Sequence, residues 1–176
     1  DIEFLYMNIH CHHGMYPLYQ NQKPYYWQNK AGKKLLVWSG EHYNLGNALG
    51  LVPNKHANFM TQNYFAGAKP KTPVESLKDN LYNYLKECAD NDYPYDFIPT
   101  SVSGVFSDNA PPNMDILTMI QEFNKAYGDQ VEIKMVTVAE LYEAIRDRLG
   151  EIPTYEGDLT DWWAHGVGST PYPVKH

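Results

Sequence analysis

The sequence predicts an α/β fold with parallel strands, and three observations carry that expectation. An apolar, β-branched run over residues 2–9 reads as a buried strand. Two capping boxes, Thr72-Pro73-Val74-Glu75 and Thr137-Val138-Ala139-Glu140, each open a helical pattern of apolar residues. Around them strand-like and helix-like segments alternate, the order that gives parallel strands joined by right-handed crossovers.

Taken in chain order, the strand over residues 2–9 delivers Asn8, His10, Cys11, His12, His13 and Gly14 at its C-terminal end. Residues 25–27 and 34–38 flank Asn29-Lys30-Ala31-Gly32, the signature of a hairpin with glycine at the position that needs positive φ. Residues 46–71 are rich in Asn, Gly, Pro and Lys without a clear period, a long excursion holding at most one short helix. After the first capping box, Val74, Leu77, Leu81, Leu85 and Cys88 recur at helical spacing, which predicts a helix from Pro73 to about Asp90. Residues 96–102 read as a strand, 103–113 as a loop, and Ile116, Ile120 and Phe123 as the buried stripe of a helix that stops at Gly128. Residues 131–136 read as another strand. Leu141, Ile145 and Leu149 then form the stripe of a last helix that Gly150 ends. The expectation is that the strands over 2–9, 96–102 and 131–136 are parallel neighbours with the helices outside them.

With 176 residues, 43% of them hydrophobic, the chain is long enough for one domain with a substantial core. No run approaches the roughly 20 apolar residues of a membrane span. The start, Asp1-Ile2-Glu3-Phe4-Leu5, lacks an initiator Met and a basic leader, so the chain reads as excised from something longer. A net charge of −7 with only 14 Lys plus Arg speaks against nucleic-acid and anionic-membrane partners, whose phosphates call for clustered cations. The compartment stays open. Cys11 and Cys88 have no CxxC spacing and read as packing residues, with a disulfide between them as the alternative.

The chemistry collects in the loops. Tyr155-Glu156-Gly157-Asp158 through Pro171 places Asp158, Asp161, Trp162, Trp163 and His165 on a glycine-rich loop. Carbohydrates offer hydroxyls around weakly apolar C–H faces, so carboxylates and flat aromatic rings together suit a sugar. A tryptophan plugging the core edge beside solvated acids fits the same residues. The strand ends fall at residues 10–14, 39–43 and 103–113, and their polar groups extend the surface: His12, His42, Tyr43, Asn109, Asp158 and Trp163 are the substrate-binding candidates. Within Ser107-Asp108-Asn109-Ala110-Pro111-Pro112-Asn113 the double proline stiffens a turn that would hold Asp108 and Asn109 at a strand mouth. Asp108 is the catalytic candidate, and a turn cap is its structural alternative. His12, Tyr43, Asp108 and Trp163 are expected to line one concave face. His10 and His12 would share one face of a strand, as metal ligands can, but no HExxH or CxxC partner accompanies them. The chain holds no GxSxG, P-loop or GxGxxG motif.

Tyr25-Tyr26-Trp27, then Ala31-Gly32-Lys33-Lys34-Leu35-Leu36-Val37-Trp38, Tyr93-Pro94-Tyr95-Asp96, Asp108-Asn109-Ala110-Pro111-Pro112-Asn113, and Ile152-Pro153-Thr154-Tyr155-Glu156-Gly157-Asp158 through Ser169 carry a family resemblance. In that order they resemble the N-terminal catalytic domain of glycoside hydrolase family 38, the α-mannosidases, closest to a bacterial branch. The likeness covers nearly the whole chain. It implies that residues 1–176 are the C-terminal half of a (β/α)7-type barrel, incomplete in this chain, from a retaining hydrolase of α-mannosides or related glycans. That family holds zinc with a His-x-Asp pair near its start, the nucleophilic Asp and a later His. The resemblance places all of these outside this chain, so it implies no metal ligand and no cofactor within it, zinc in the complete parent domain, and an isolated fragment without activity. Asp108 lies where the family has an acidic pair linked to acid/base work, and Trp163 where it has an aromatic wall. Asn109 departs from the pattern by replacing the second acid. The implied partners are a mannose-containing glycan and the remainder of the parent polypeptide. Two other classes fit the same residues: a non-catalytic carbohydrate-binding module, and a polysaccharide deacetylase-like barrel in which the histidines and Asp108 would matter more than the tryptophans.

Overall fold

The structure, a computed structural model, describes residues 2–8, 22–53, 72–104 and 110–158. The chain is α/β and divides into two compact units, Asp1–Glu41 with Glu151–His176, and His42–Gly150.

The first unit is built on a four-stranded mixed sheet of order β1-β3-β2-β4, with β1 Phe4–Asn8, β2 Lys23–Gln28, β3 Lys34–Gly40 and β4 Thr154–Tyr155. The hairpin forms as its sequence predicts: β2 and β3 pair antiparallel, with Tyr25 opposite Val37 and Gln28 opposite Lys34. Asn29 organises the turn, its Oδ1 accepting from the backbone N–H groups of Ala31 and Lys33, while Gly32 supplies the left-handed φ of +78°. β1 runs parallel to β3, with Tyr6 beside Trp38, and β4 runs parallel to β2, with Tyr26 beside Thr154. Central β3 is apolar at Leu35, Leu36, Val37 and Trp38 without alternation, and residues 36–40 are all buried, as in a strand covered on both faces. Trp38 is fully buried and satisfies its indole by donating to Gln22 Oε1 at 3.1 Å.

Tyr25 breaks this pattern. It is fully buried, yet its hydroxyl has no hydrogen-bond partner among the described residues. Burial, and then the neighbouring Tyr155, push that hydroxyl up to about 12, while the two rings meet edge to face with centroids 6.1 Å apart. A buried hydroxyl without a partner costs its desolvation and returns nothing. Tyr25→Phe is therefore expected to stabilise the protein by about 1 kcal/mol. Urea unfolding checks this, and a clear loss of stability would show that the hydroxyl has a partner in solution.

The second unit is helical. α1 Leu45–Leu49, α2 Pro73–Asp90 and α3 Asp115–Tyr127 enclose a core of Leu49, Leu51, Leu77, Ile116, Met119, Ile120 and Phe123. Both capping boxes form. Thr72 accepts from the Glu75 N–H while Glu75 accepts from the Thr72 N–H, and Thr137 and Glu140 repeat this at α4 Val138–Ile145. The hydrogen bonds from Thr137 hold the Glu140 carboxyl below its ordinary value. A folded-state value below the unfolded one stabilises the helix start above the ordinary carboxylate range, and that contribution fades as pH falls through the depressed value. An NMR titration should place Glu140 below the ordinary glutamate value, and Thr137→Ala, which removes the side-chain bond but keeps the backbone one, should return only part of the shift.

Two expected strands are absent. Residues 96–102 and 131–136 join no sheet, and other groups take backbone bonds there: the Phe97 carbonyl accepts from the Tyr93 hydroxyl, the Ser101 carbonyl from the Gly46 N–H, and asparagine side chains hold Ser103, just past the first segment, and Ile133 in the second. Asn47, at 1% exposure, donates from Nδ2 to Ser103 O at 3.0 Å and accepts at Oδ1 from Ser103 N–H at 2.8 Å. Asn124 treats Ile133 alike, donating to its carbonyl at 2.8 Å and accepting from its N–H at 2.9 Å. A primary amide presents one donor and one acceptor side by side, as a backbone neighbour does. The expected parallel arrangement of these two segments beside residues 2–9 is thus overturned, and β1 pairs with β3 instead. Gly46 lets α1 approach the first of these segments. Its N–H donates to Ser101 O at 2.9 Å, and a Cβ there would stand 2.8 Å from that of Val102.

The last helix is also shorter than expected. α4 stops at Ile145, and the Arg148 N–H turns back to the Ile145 carbonyl at 2.8 Å, tightening the final turn. The Arg148 guanidinium pairs with Asp96 and lies 4.8 Å from the Phe97 ring centroid, and Tyr95 donates to the Leu149 carbonyl. These anchors draw residues 146–149 off the helix axis, while Leu149 stays buried and Gly150 takes a φ of +66°.

Candidate functional site

Of the residues singled out from sequence, His42, Tyr43 and Asp158 fall within the described residues, while His12, Asp108, Asn109 and Trp163 lie outside them. The expected concave face lined by His12, Tyr43, Asp108 and Trp163 therefore lies outside them too, save for Tyr43.

His42 and Tyr43 follow β3 and lead into α1. Their rings are 4.1 Å apart at 35°, and His42 Nδ1 sits 2.5 Å from Asn44 Oδ1 and 3.3 Å from the Asn44 backbone nitrogen. The His42 carbonyl accepts from the Leu45 N–H at 2.9 Å. The imidazole is thus fixed by the turn that starts α1.

Asp158 belongs to the first unit. The Tyr155 hydroxyl donates to its backbone carbonyl at 2.9 Å. Its carboxylate makes no hydrogen bond to the described residues and is exposed. Gly157 just before it requires glycine: its φ is +156°, and a Cβ would meet the Tyr155 hydroxyl at 2.7 Å.

Sequence reasoning missed the cluster that this loop completes on the β2–β4 edge. Trp27 Nε1 donates to the Gly157 carbonyl at 2.9 Å, and Gln28 donates from Nε2 to the Glu156 carboxylate. Lys34 Nζ donates to Thr154 Oγ1 at 3.2 Å and lies 5.5 Å from the centroid of the Tyr26 ring, which is 37% exposed. One edge therefore presents an aromatic ring, an amide, a carboxylate, an ammonium and a hydroxyl. These groups both donate and accept around a flat apolar surface, the chemistry that a polyhydroxylated ring requires. Tyr26 is the exposed residue of β2, and nothing local in the sequence links it to residues more than a hundred positions later.

Among the described residues no group of three or more His, Cys, Asp or Glu could hold a metal ion, and no helix is long and apolar enough to cross a membrane. No family model, curated protein or solved structure matches the chain.

Proposed function

We propose that this chain is part of a glycoside hydrolase that acts on α-mannosides or related glycans by a retaining mechanism. The observation that carries the reading is the β2–β4 edge. Tyr25-Tyr26-Trp27 and Thr154-Tyr155-Glu156-Gly157, two of the segments that resemble family 38, are distant in sequence and lie hydrogen-bonded side by side. Together they offer the mixed aromatic and hydrogen-bonding surface that a sugar needs.

The architecture belonging to this reading is a (β/α)7-type barrel, and its supports are the parallel β1–β3 pair and the capped helices α2 and α4. Retention needs a nucleophilic carboxylate and a second carboxylic acid that protonates the leaving oxygen and then activates water. Asp108 is assigned the second role. The nucleophile and a zinc ion are assigned to the rest of the catalytic domain, which is the macromolecular partner of this chain. His12, His42, Tyr43, Asn109, Asp158 and Trp163 are assigned to the glycan. The reading is tested by asking whether the polypeptide carrying the complete domain hydrolyses an aryl α-mannoside with retained anomeric configuration. Inversion, or no turnover with zinc supplied, would overturn it.

A further inference from the structure

The second unit carries an open strand edge at residues 131–136. Three observations show that this stretch is extended. Both backbone groups of Ile133 point to the Asn124 amide, at 2.9 and 2.8 Å. Val131 and Ile133 pack against the helical core while Glu132, between them, is exposed. Lys134 Nζ and Glu132 Oε2, two residues apart, meet at 2.9 Å, as side chains on one face of a strand do.

In an extended chain the backbone groups of successive residues point to opposite sides. Those of Ile133 face Asn124, so those of Glu132 and Lys134 face away from it, and neither residue makes a backbone hydrogen bond among the described residues. Their side chains are 56% and 67% exposed, and next to them Met135 and Val136 are 56% and 48% exposed. A row of unbonded N–H and C=O groups beside exposed apolar side chains is a template for another strand.

We propose that this edge pairs antiparallel with the same edge of a second copy of the chain, about a two-fold axis at Ile133. Charge selects both the partner and the register. An axis at Glu132 or at Lys134 would set like charges directly opposite each other, which is destabilising. An axis at Ile133 sets Glu132 opposite Lys134 of the second copy, twice over by the symmetry. It also makes those residues the hydrogen-bonded pairs, using the backbone groups that are open, and leaves Ile133 as the non-hydrogen-bonded pair whose own groups remain with Asn124. On the other face Val131 comes opposite Met135 of the second copy, and Ile133 opposite Ile133, extending the apolar core across the axis. Thr137 ends the edge because it caps α4.

This inference rests on the second unit alone and stands apart from the glycosidase reading. Sedimentation equilibrium of the 176-residue chain should show a reversible monomer–dimer equilibrium. Lys134→Glu replaces each attractive cross-strand pair by a repulsive one and is expected to weaken dimerisation about 10-fold or more. The double variant Glu132→Lys/Lys134→Glu restores the pairs and should recover most of the loss. Lys134→Pro removes a backbone donor of the edge and should abolish the dimer, with far-UV circular dichroism confirming that all variants fold. A chain that stays monomeric at every concentration overturns the proposal. So does a dimer indifferent to Lys134→Glu or Lys134→Pro, or one that the charge swap fails to restore.

Discussion

Asn47→Leu is expected to lower the unfolding free energy by about 2–4 kcal/mol, from two backbone groups each left without a partner at roughly 1–2 kcal/mol. Leucine shares the branching of asparagine but is bulkier, so no cavity opens and the loss reads the two bonds to Ser103 together with any crowding. Those bonds matter because residues 96–104 have no sheet to join, and the Asn47 amide with the Gly46 N–H ties α1 to them. Asn47→Asp keeps the acceptor for the Ser103 N–H and removes the donor to its carbonyl, so its effect should fall between wild type and leucine. Urea unfolding midpoints of the three proteins give the order. An Asn47→Leu protein within 0.5 kcal/mol of wild type, roughly the scatter for ordinary surface changes, would mean that the segment is held by something else.

If the proposed glycosidase function holds, Asp108→Asn in the polypeptide carrying the complete domain is expected to slow cleavage of α-mannosides with poor leaving groups by about 10²- to 10⁴-fold. Activated aryl leaving groups depart without a proton and should be far less affected. Trp163→Ala should instead raise KM with a smaller change in kcat, since a stacking wall holds ground and transition states alike. Measuring both variants on both substrate types separates the roles. Unchanged rates for Asp108→Asn on all substrates would remove it from the mechanism.

The elements legible in the sequence were those whose cause is local. A capping box is written in four consecutive residues, and the Asn29–Gly32 turn in another four, so α2, the start of α4 and the β2–β3 hairpin could be read directly. Residues 96–102 and 131–136 were misread because apolar alternation reports that a segment is extended and half-buried, not what satisfies its backbone. Whether another strand or a side chain such as Asn47 or Asn124 does so is decided by packing. The end of α4 was misread for a related reason: Leu149 keeps helical spacing with Ile145 and is buried, but Tyr95, Asp96 and Phe97 hold it from outside the helix. At the candidate site, His42 and Asp158 were legible as polar residues at element ends. The pairs Lys34–Thr154 and Gln28–Glu156 were not, since sheet register alone brings them together.

That register has a consequence for how the first unit is assembled. The β2–β3 hairpin closes over the short turn at residues 29–33, whereas the Gln28 to Glu156 contact spans 128 positions. At about 0.6 kcal/mol per doubling of loop length, closing the longer loop costs roughly 3 kcal/mol more in chain entropy. β4 is only two residues long and offers few contacts against that cost. The difference shrinks when His42–Gly150, which fills the interval, folds first and replaces a long flexible loop with a compact body. Prior folding of the inserted unit thus lowers the entropic cost of docking the final strand. The β2–β4 edge of the first unit is then favoured in molecules whose second unit is already folded.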